Sequence, residues 1–219
     1  MKVGDLGKAQ ALYVAARQPY KRIEPIAHRF SDLQNSIDPV ADYFEKREND
    51  PAFLGYRRIA RGLFEVKSLD GLGPVADRLV ADLNALDQRL RALKMTPDVL
   101  TESAGNFVTQ LARDRLSAAE SSRAETDLSD IEANLDGIGK IVGLLLPVVK
   151  PVDPALADKI DTTFNATLGE VAKLKGGTGS SPSASVDAAQ RKELAAAFTN
   201  LAEALNQLPA AIGINANGT

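Results

Sequence analysis

The chain has 219 residues, 44% of them hydrophobic and 25% charged, with a formal net charge of −3. That balance is globular, and the length suffices for one large domain or two small bundles. Basic residues are interleaved with acids, so no basic face for nucleic acid stands out, and the absence of cysteine excludes disulfides, thiolate metal sites and thiol nucleophiles.

The first segment runs from about Asp5 to Phe30, with Asp5 as its cap and Leu12, Ala16, Ile23, Ile26 and Phe30 at helical spacing. Pro19 and Pro25 interrupt it. A proline inside a helix removes a donor, so a kink just after Glu24 leaves nearby carbonyls short of partners. Residues 31–36 read as a turn. Asp38-Pro39 predicts a helix start, with the Asp as N-cap, and a helix to about Lys46. Asp50-Pro51 repeats that signal and opens Gly55 to Phe64, a basic helical turn carrying Arg57, Arg58 and Arg61.

Beyond a break at Gly71 and Gly73, Val75, Leu79, Leu83, Leu86, Leu90 and Leu93 predict an amphipathic helix from Pro74. Another is expected from about Asp98 to Arg115. Thr126-Asp127 starts the next, with Leu128, Ile131, Leu135, Ile138, Val142 and Leu145 inward, and with Asp127, Asp130 and Asn134 placed for capping and inter-helix hydrogen bonds. Pro147 and Pro151 are expected to close it. Asp153-Pro154 opens a helix with Leu156, Ile160, Phe164, Leu168 and Val171 inward. Residues 176–185 read as a flexible low-complexity loop. The last helix spans about Val186 to Leu208, with Leu194, Phe198, Leu201, Leu205 and Leu208 on one face and Pro209 as its stop; the tail from Asn215 is expected to fray. No strand pattern is evident, and aromatic residues are sparse at 5%. The fold class is all-α, an up-and-down bundle or two bundles end to end. The longest apolar run, Ile141 to Val149, is broken by Gly143 and Pro147, so the chain is read as not membrane-spanning, and Met1 to Asp5 has no apolar leader core.

Several stretches carry a family resemblance: Gly4-Asp5-Leu6 with Ala11-Leu12-Tyr13, Tyr20 through Ala27, Phe30 to Leu33, Ser36-Ile37-Asp38, Thr126-Asp127-Leu128 with Ala133-Asn134 and Asp136-Gly137, and Asn200 to Leu205 with Leu208. In order along the whole chain, these resemble the EfeO/EfeM-type iron-uptake proteins, whose large domain belongs to the imelysin-like peptidase family. The resemblance implies a single imelysin-like domain over residues 1–219, made of antiparallel helical bundles of four-helix type. Its sub-bundles would be 1–95 and 96–219, with a cleft between them. It also implies a periplasmic location and a binding role for iron or another divalent or trivalent cation. The implied partners are an inner-membrane iron permease and a peroxidase, with an acidic polysaccharide as the alternative ligand. Most members have no established proteolytic activity. A leader and an initial helix are expected to precede Met1.

The family signature is His-x-x-Glu, and it falls on Arg57 and Ala60, within a frame where Gly55, Arg58, Ile59, Leu63 and Phe64 still fit. Glu24, Asp38 and Glu120 stand at other acid positions of the family and are, by resemblance, the metal candidates. The chemistry of the replacement is plain. His and Glu at i and i+3 project from one helical face, but a guanidinium has no lone pair to give a metal and does not deprotonate. It also repels a cation: two unit charges about 4 Å apart interact by roughly 4 kcal/mol at an effective dielectric near 20. The expectation is that Arg57 stands in for the missing cation through a forked ion pair with Glu24 or Asp38. Each acid also has an ordinary reading: Glu24 as a solvated helix acid, Asp38 as an N-cap, Glu120 as a cap before Asp127.

His28 has only Glu24, four residues earlier, at ligand spacing and reads as an exposed helix histidine. Tyr13, Tyr20, Tyr43 and Tyr56 read as packing residues. No Ser/His/Asp set is recognisable, no metal-activated water can be proposed, and residues 176–181 lack the Lys-Ser/Thr ending of a phosphate loop. The expectation is a non-enzymatic component of an iron-uptake system with a degenerate metal site, or else a non-metal interaction module on the same fold.

Overall fold

The computed structural model describes residues 4–117, 127–176 and 188–214. Every regular element among them is helical. By its internal contacts the chain divides into two compact units, Met1–Pro19 with Ala27–Lys94, and Tyr20–Ile26 with Met95–Thr219.

Helix α1, Leu6–Ala27, contributes to both units and runs through Pro19 and Pro25. Asp5 caps it, its carboxylate accepting the Lys8 N–H at 2.9 Å. The apolar residues expected to face inward do not all do so. Leu12 is 55% exposed, Ile23 is 39% exposed, and Ala16 is exposed too. The buried face runs through Tyr13, Arg17, Tyr20, Glu24 and Ala27, in steps of three and four, with Lys21 and the expected Ile26 buried beside it. An inward helical stripe can be polar, provided each buried charge finds a partner.

In the first unit, residues 31–36 are not a turn but part of α2, Ser31–Ile37, because Leu33 and Ile37, one turn apart, both bury. Asp38 is a helix end rather than a helix start. Its N–H bonds the Gln34 carbonyl, and its φ of −140° and ψ of 52° lie outside the helical region. Pro39 is the cause, since its ring disfavours the helical conformation in the residue before it. Two short 3-10 turns follow, Ala41–Tyr43 and Arg47–Asn49, in place of the expected helix to Lys46. Asp50 holds a tight turn through its carboxylate and the Ala52 N–H.

Helix α3, Gly55–Ala60, then continues without a break into a π-helical turn, Arg61–Val66. Lys67, with φ of 55°, ends it, and the Ser68 N–H closes back on the Gly62 carbonyl at 3.0 Å. Helix α4, Leu72–Ala92, packs on α2 and α3 through Val75, Leu79 and Leu86. Gly62 lets the π turn approach it, since a Cβ there would lie 2.7 Å from a Leu72 methyl.

The second unit is a four-helix ring of neighbours: α5 (Pro97–Ser117), α6 (Asp127–Val149), α7 (Pro154–Gly176) and α8 (Ala188–Leu205), with α8 returning to α5. Helix α6 does not stop at Pro147 but carries it inside to Val149. Asp153 caps α7, accepting the Leu156 N–H at 2.9 Å. On α7, Leu156, Ile160 and Val171 bury, while Leu168, expected inward, is 40% exposed. On α8 and just beyond it, Leu194, Phe198, Leu201, Leu205 and Leu208 are all buried, as their spacing predicts. Helix α8 ends at Leu205, and Pro209 sits in the first turn of a short α9, Leu208–Ala211, where a missing N–H costs nothing. No helix among the described residues is long and apolar enough to cross a membrane.

Candidate functional site

Arg57 and Ala60, the positions singled out by the resemblance, lie in the first unit. Arg57 and Ala60, one turn apart, share a face of α3, and Arg57 reaches Asp38 at the end of α2. The forked pair expected of Arg57, however, is made by another residue. Arg17 of α1 grips Asp38 with two parallel bonds, Nη1 to Oδ1 and Nη2 to Oδ2, both 2.7 Å. These side chains are 5% and 2% exposed. Arg57 adds a second, looser contact, Nε to Oδ1 at 3.4 Å. Asp38 therefore serves neither as an N-cap nor as an open carboxylate. A carboxylate at a helix C-terminus adds to the partial negative charge already there, so the position calls for cations from other elements.

Aromatic side chains hold this arrangement. The Arg17 guanidinium carbon lies 5.2 Å over the Tyr56 ring. The Tyr56 hydroxyl donates to the Ala16 carbonyl at 2.9 Å, and the Tyr13 hydroxyl donates back to the Tyr56 carbonyl at 3.0 Å. Tyr13 meets Tyr56 and Phe64 edge-on. Two reciprocal hydroxyl bonds between α1 and α3 thus fix the register that brings Arg17 and Arg57 to one carboxylate. The start of α3 is pressed against the last carbonyls of α2 at Gly55, where φ is +67°.

Glu24 belongs to the second unit and has its own partners. Lys21 holds both carboxylate oxygens at 2.8 and 3.0 Å, and the Asn134 amide donates to Oε2 at 2.8 Å. The Asn134 amide also donates to the Lys21 carbonyl at 2.7 Å. This is the carbonyl that Pro25, lacking an N–H, cannot serve. Gly137, one turn along α6, brings the two helices close: a Cβ there would fall 2.0 Å from the Arg22 carbonyl oxygen. Asn134 is thus the inter-helix hydrogen-bonding residue its position on α6 suggested, and Glu24 is not a solvated acid but 6% exposed. Asn134→Ala leaves a buried carbonyl and a carboxylate oxygen each short of a donor. The expected loss of stability is about 1–3 kcal/mol, read from urea unfolding; a change indistinguishable from zero sinks this account of the joint.

The remaining sequence candidates fall elsewhere. Glu120, the 177–185 part of the predicted loop and the 215–219 tail lie outside the described residues. His28 is beyond the end of α1 rather than within it, half-buried, and its Nε2 lies 2.8 Å from the Gln34 amide nitrogen. Tyr43 does not pack but is 74% exposed. Among the described residues no three His, Cys, Asp or Glu side chains converge as a group able to hold a metal ion. The donor set that is described does not fit a bare cation, since Asp38 and Glu24 each face a cationic side chain already. Arg17 and Lys21 are invisible to apolar spacing alone. Their signal is of another kind: with Tyr13, Tyr20 and Glu24 they recur at helical steps on one face.

The imelysin family model, a peptidase family by name, matches residues 1–208. Over 215 residues, 98% of its length, the chain is 37% identical to the iron uptake system component EfeO of Yersinia pseudotuberculosis, covering 58% of that protein. It is 36% identical over the same share of its length to the iron uptake system component EfeO of Escherichia coli O157:H7, covering 57% of it. The chain thus spans less than two thirds of the length of the curated relatives it matches. With a family match running through α1 to the start of α9 and this level of identity to such relatives, the chain belongs to the imelysin family.

Proposed function

We propose that this chain is a non-enzymatic, periplasmic component related to the EfeO iron-uptake proteins, one that binds bare metal cations weakly because its own side chains neutralise the carboxylates. Its partners in this reading are the membrane permease and the peroxidase of such a system. The observation that carries it is Asp38, whose two oxygens are both taken by Arg17, with Arg57 beside them where the signature asks for a metal-binding histidine. A cation arriving there must displace a buried bidentate pair and sit against a fixed positive charge. Glu24, paired with Lys21 and Asn134, is blocked in the same way.

Isothermal titration of the full chain with ferric, zinc and copper ions tests this. The expected result is no stoichiometric binding at micromolar concentrations. An Arg57→His, Ala60→Glu double variant, which restores paired ligands on one face of α3, is expected to bind at least about tenfold more tightly, a gain of roughly 1.4 kcal/mol. Micromolar or tighter stoichiometric binding by the unaltered chain overturns the reading.

A further inference from the structure

Helix α6 buries one side among its neighbours in the second unit and leaves an apolar row uncovered on the other. Leu144 is 64%, Val148 49% and Val152 63% exposed, at successive steps of four, the last of them just past the helix end. The backbone keeps turning through them, since the Lys150 N–H bonds the Leu146 carbonyl and the Asp153 N–H bonds the Val149 carbonyl. Side chains four apart on a helix stack on one face, so these three form a ridge. Gly143, Pro147 and Pro151, also four apart and exposed, run beside it as a lower row. Nothing lies within 4 Å of the place a Gly143 Cβ would take. Single exposed apolar residues need no explanation, but a contiguous row of them marks an interaction surface.

We propose that this face of α6 pairs with the same face of a second copy of the chain, antiparallel about a two-fold axis at Val148. The ridge is symmetric about that residue. Under the two-fold, Val148 meets its equivalent, Leu144 meets Val152 of the second copy, and each ridge lies against the other copy's row of Gly and Pro. The charges fit as well. Lys140, exposed one turn before Leu144, comes toward the C-terminal end of the other α6, where the last carbonyls and the Asp153 carboxylate are negative. A face of this size is on the order of 400 Å², about half of what each partner buries in a standard stable interface, so the pairing is weak and depends on concentration. A bilayer fits less well. Interfacial helices carry aromatic residues and a basic polar face, whereas the stretch from Asp136 to Asp158 has no aromatic residue and its lysines are outnumbered by aspartates.

The test is sedimentation velocity of the full chain from about 10 μM to about 1 mM, where a reversible monomer–dimer equilibrium with a Kd of roughly 0.1–1 mM is expected. Val148→Glu sets two carboxylates against each other on the axis and is expected to weaken association by about tenfold or more. Val80→Glu, the same change at a 57% exposed valine of α4, is expected to alter it by less than about twofold. Circular dichroism checks that each variant is folded. The chain has no cysteine, so introduced thiols report the pairing directly. Val148→Cys is expected to give a disulfide-linked dimer on mild oxidation, and Leu144→Cys mixed with Val152→Cys to cross-link more readily than either variant alone, since a disulfide needs Cα atoms within about 7 Å. A chain that stays monomeric throughout, equal association by Val148→Glu, or no more cross-linking at Val148→Cys than at Val80→Cys overturns the proposal. A monomeric chain that floats with phosphatidylglycerol vesicles, and loses this in Val148→Glu, gives the face to a bilayer instead and overturns it too.

Discussion

Asp38→Ala is expected to lower the unfolding free energy by about 3–5 kcal/mol, the range for stripping one partner from a buried ion pair. Arg17 is 5% exposed on its side chain, and without Asp38 its guanidinium has lost both of its 2.7 Å bonds. The ring of Tyr56 remains near it but is worth only about 0.5–2 kcal/mol. Arg57 loses the oxygen next to its Nε as well. The control is the double variant Arg17→Met, Asp38→Leu, which removes both charges and keeps side-chain bulk. It is expected to fall far closer to the unaltered protein, because replacing a whole buried pair by apolar groups is often neutral. Urea unfolding followed by circular dichroism reads both. A loss below about 1 kcal/mol in Asp38→Ala is the result that removes Asp38 from the centre of the first unit.

Gly55→Ala is expected to cost about 3 kcal/mol or more, combining overpacking with a left-handed backbone. Its Cβ would lie 2.1 Å from the Ile37 carbonyl oxygen and 2.5 Å from that of Ser36. Both obstacles are backbone, so no side-chain rotation relieves them. The φ of +67° adds strain of its own for any residue with a Cβ. The start of α3 would have to retreat from the end of α2, and Arg57 with it from Asp38. Lower thermal stability and a shifted Arg57 Nε–Hε signal are therefore expected together. An alanine variant as stable as the parent excludes this close approach of the two helices.

Much of the helical frame was legible along the chain. The caps at Asp5 and Asp153, the leucine stripe of α4 and the apolar stripe of α6 follow from local spacing and local hydrogen bonds. The same rules misread Asp38-Pro39. An Asp before a proline suits a helix start, but it equally ends a helix, and only the burial of Leu33 and Ile37 selects the second. They misread α1 too, where apolar Leu12 and Ile23 lie outside and Arg17, Lys21 and Glu24 lie inside.

The sequence by itself determined the all-α class and the membership of the imelysin family. Only the tertiary structure decided what the acids do. Burying a charge is tolerable only where a partner of opposite sign or a donor is already in place. The partner of Asp38 is 21 residues away, and the amide that serves Glu24 is 110 residues away. No local pattern encodes such distances; packing of α1 against other elements creates them.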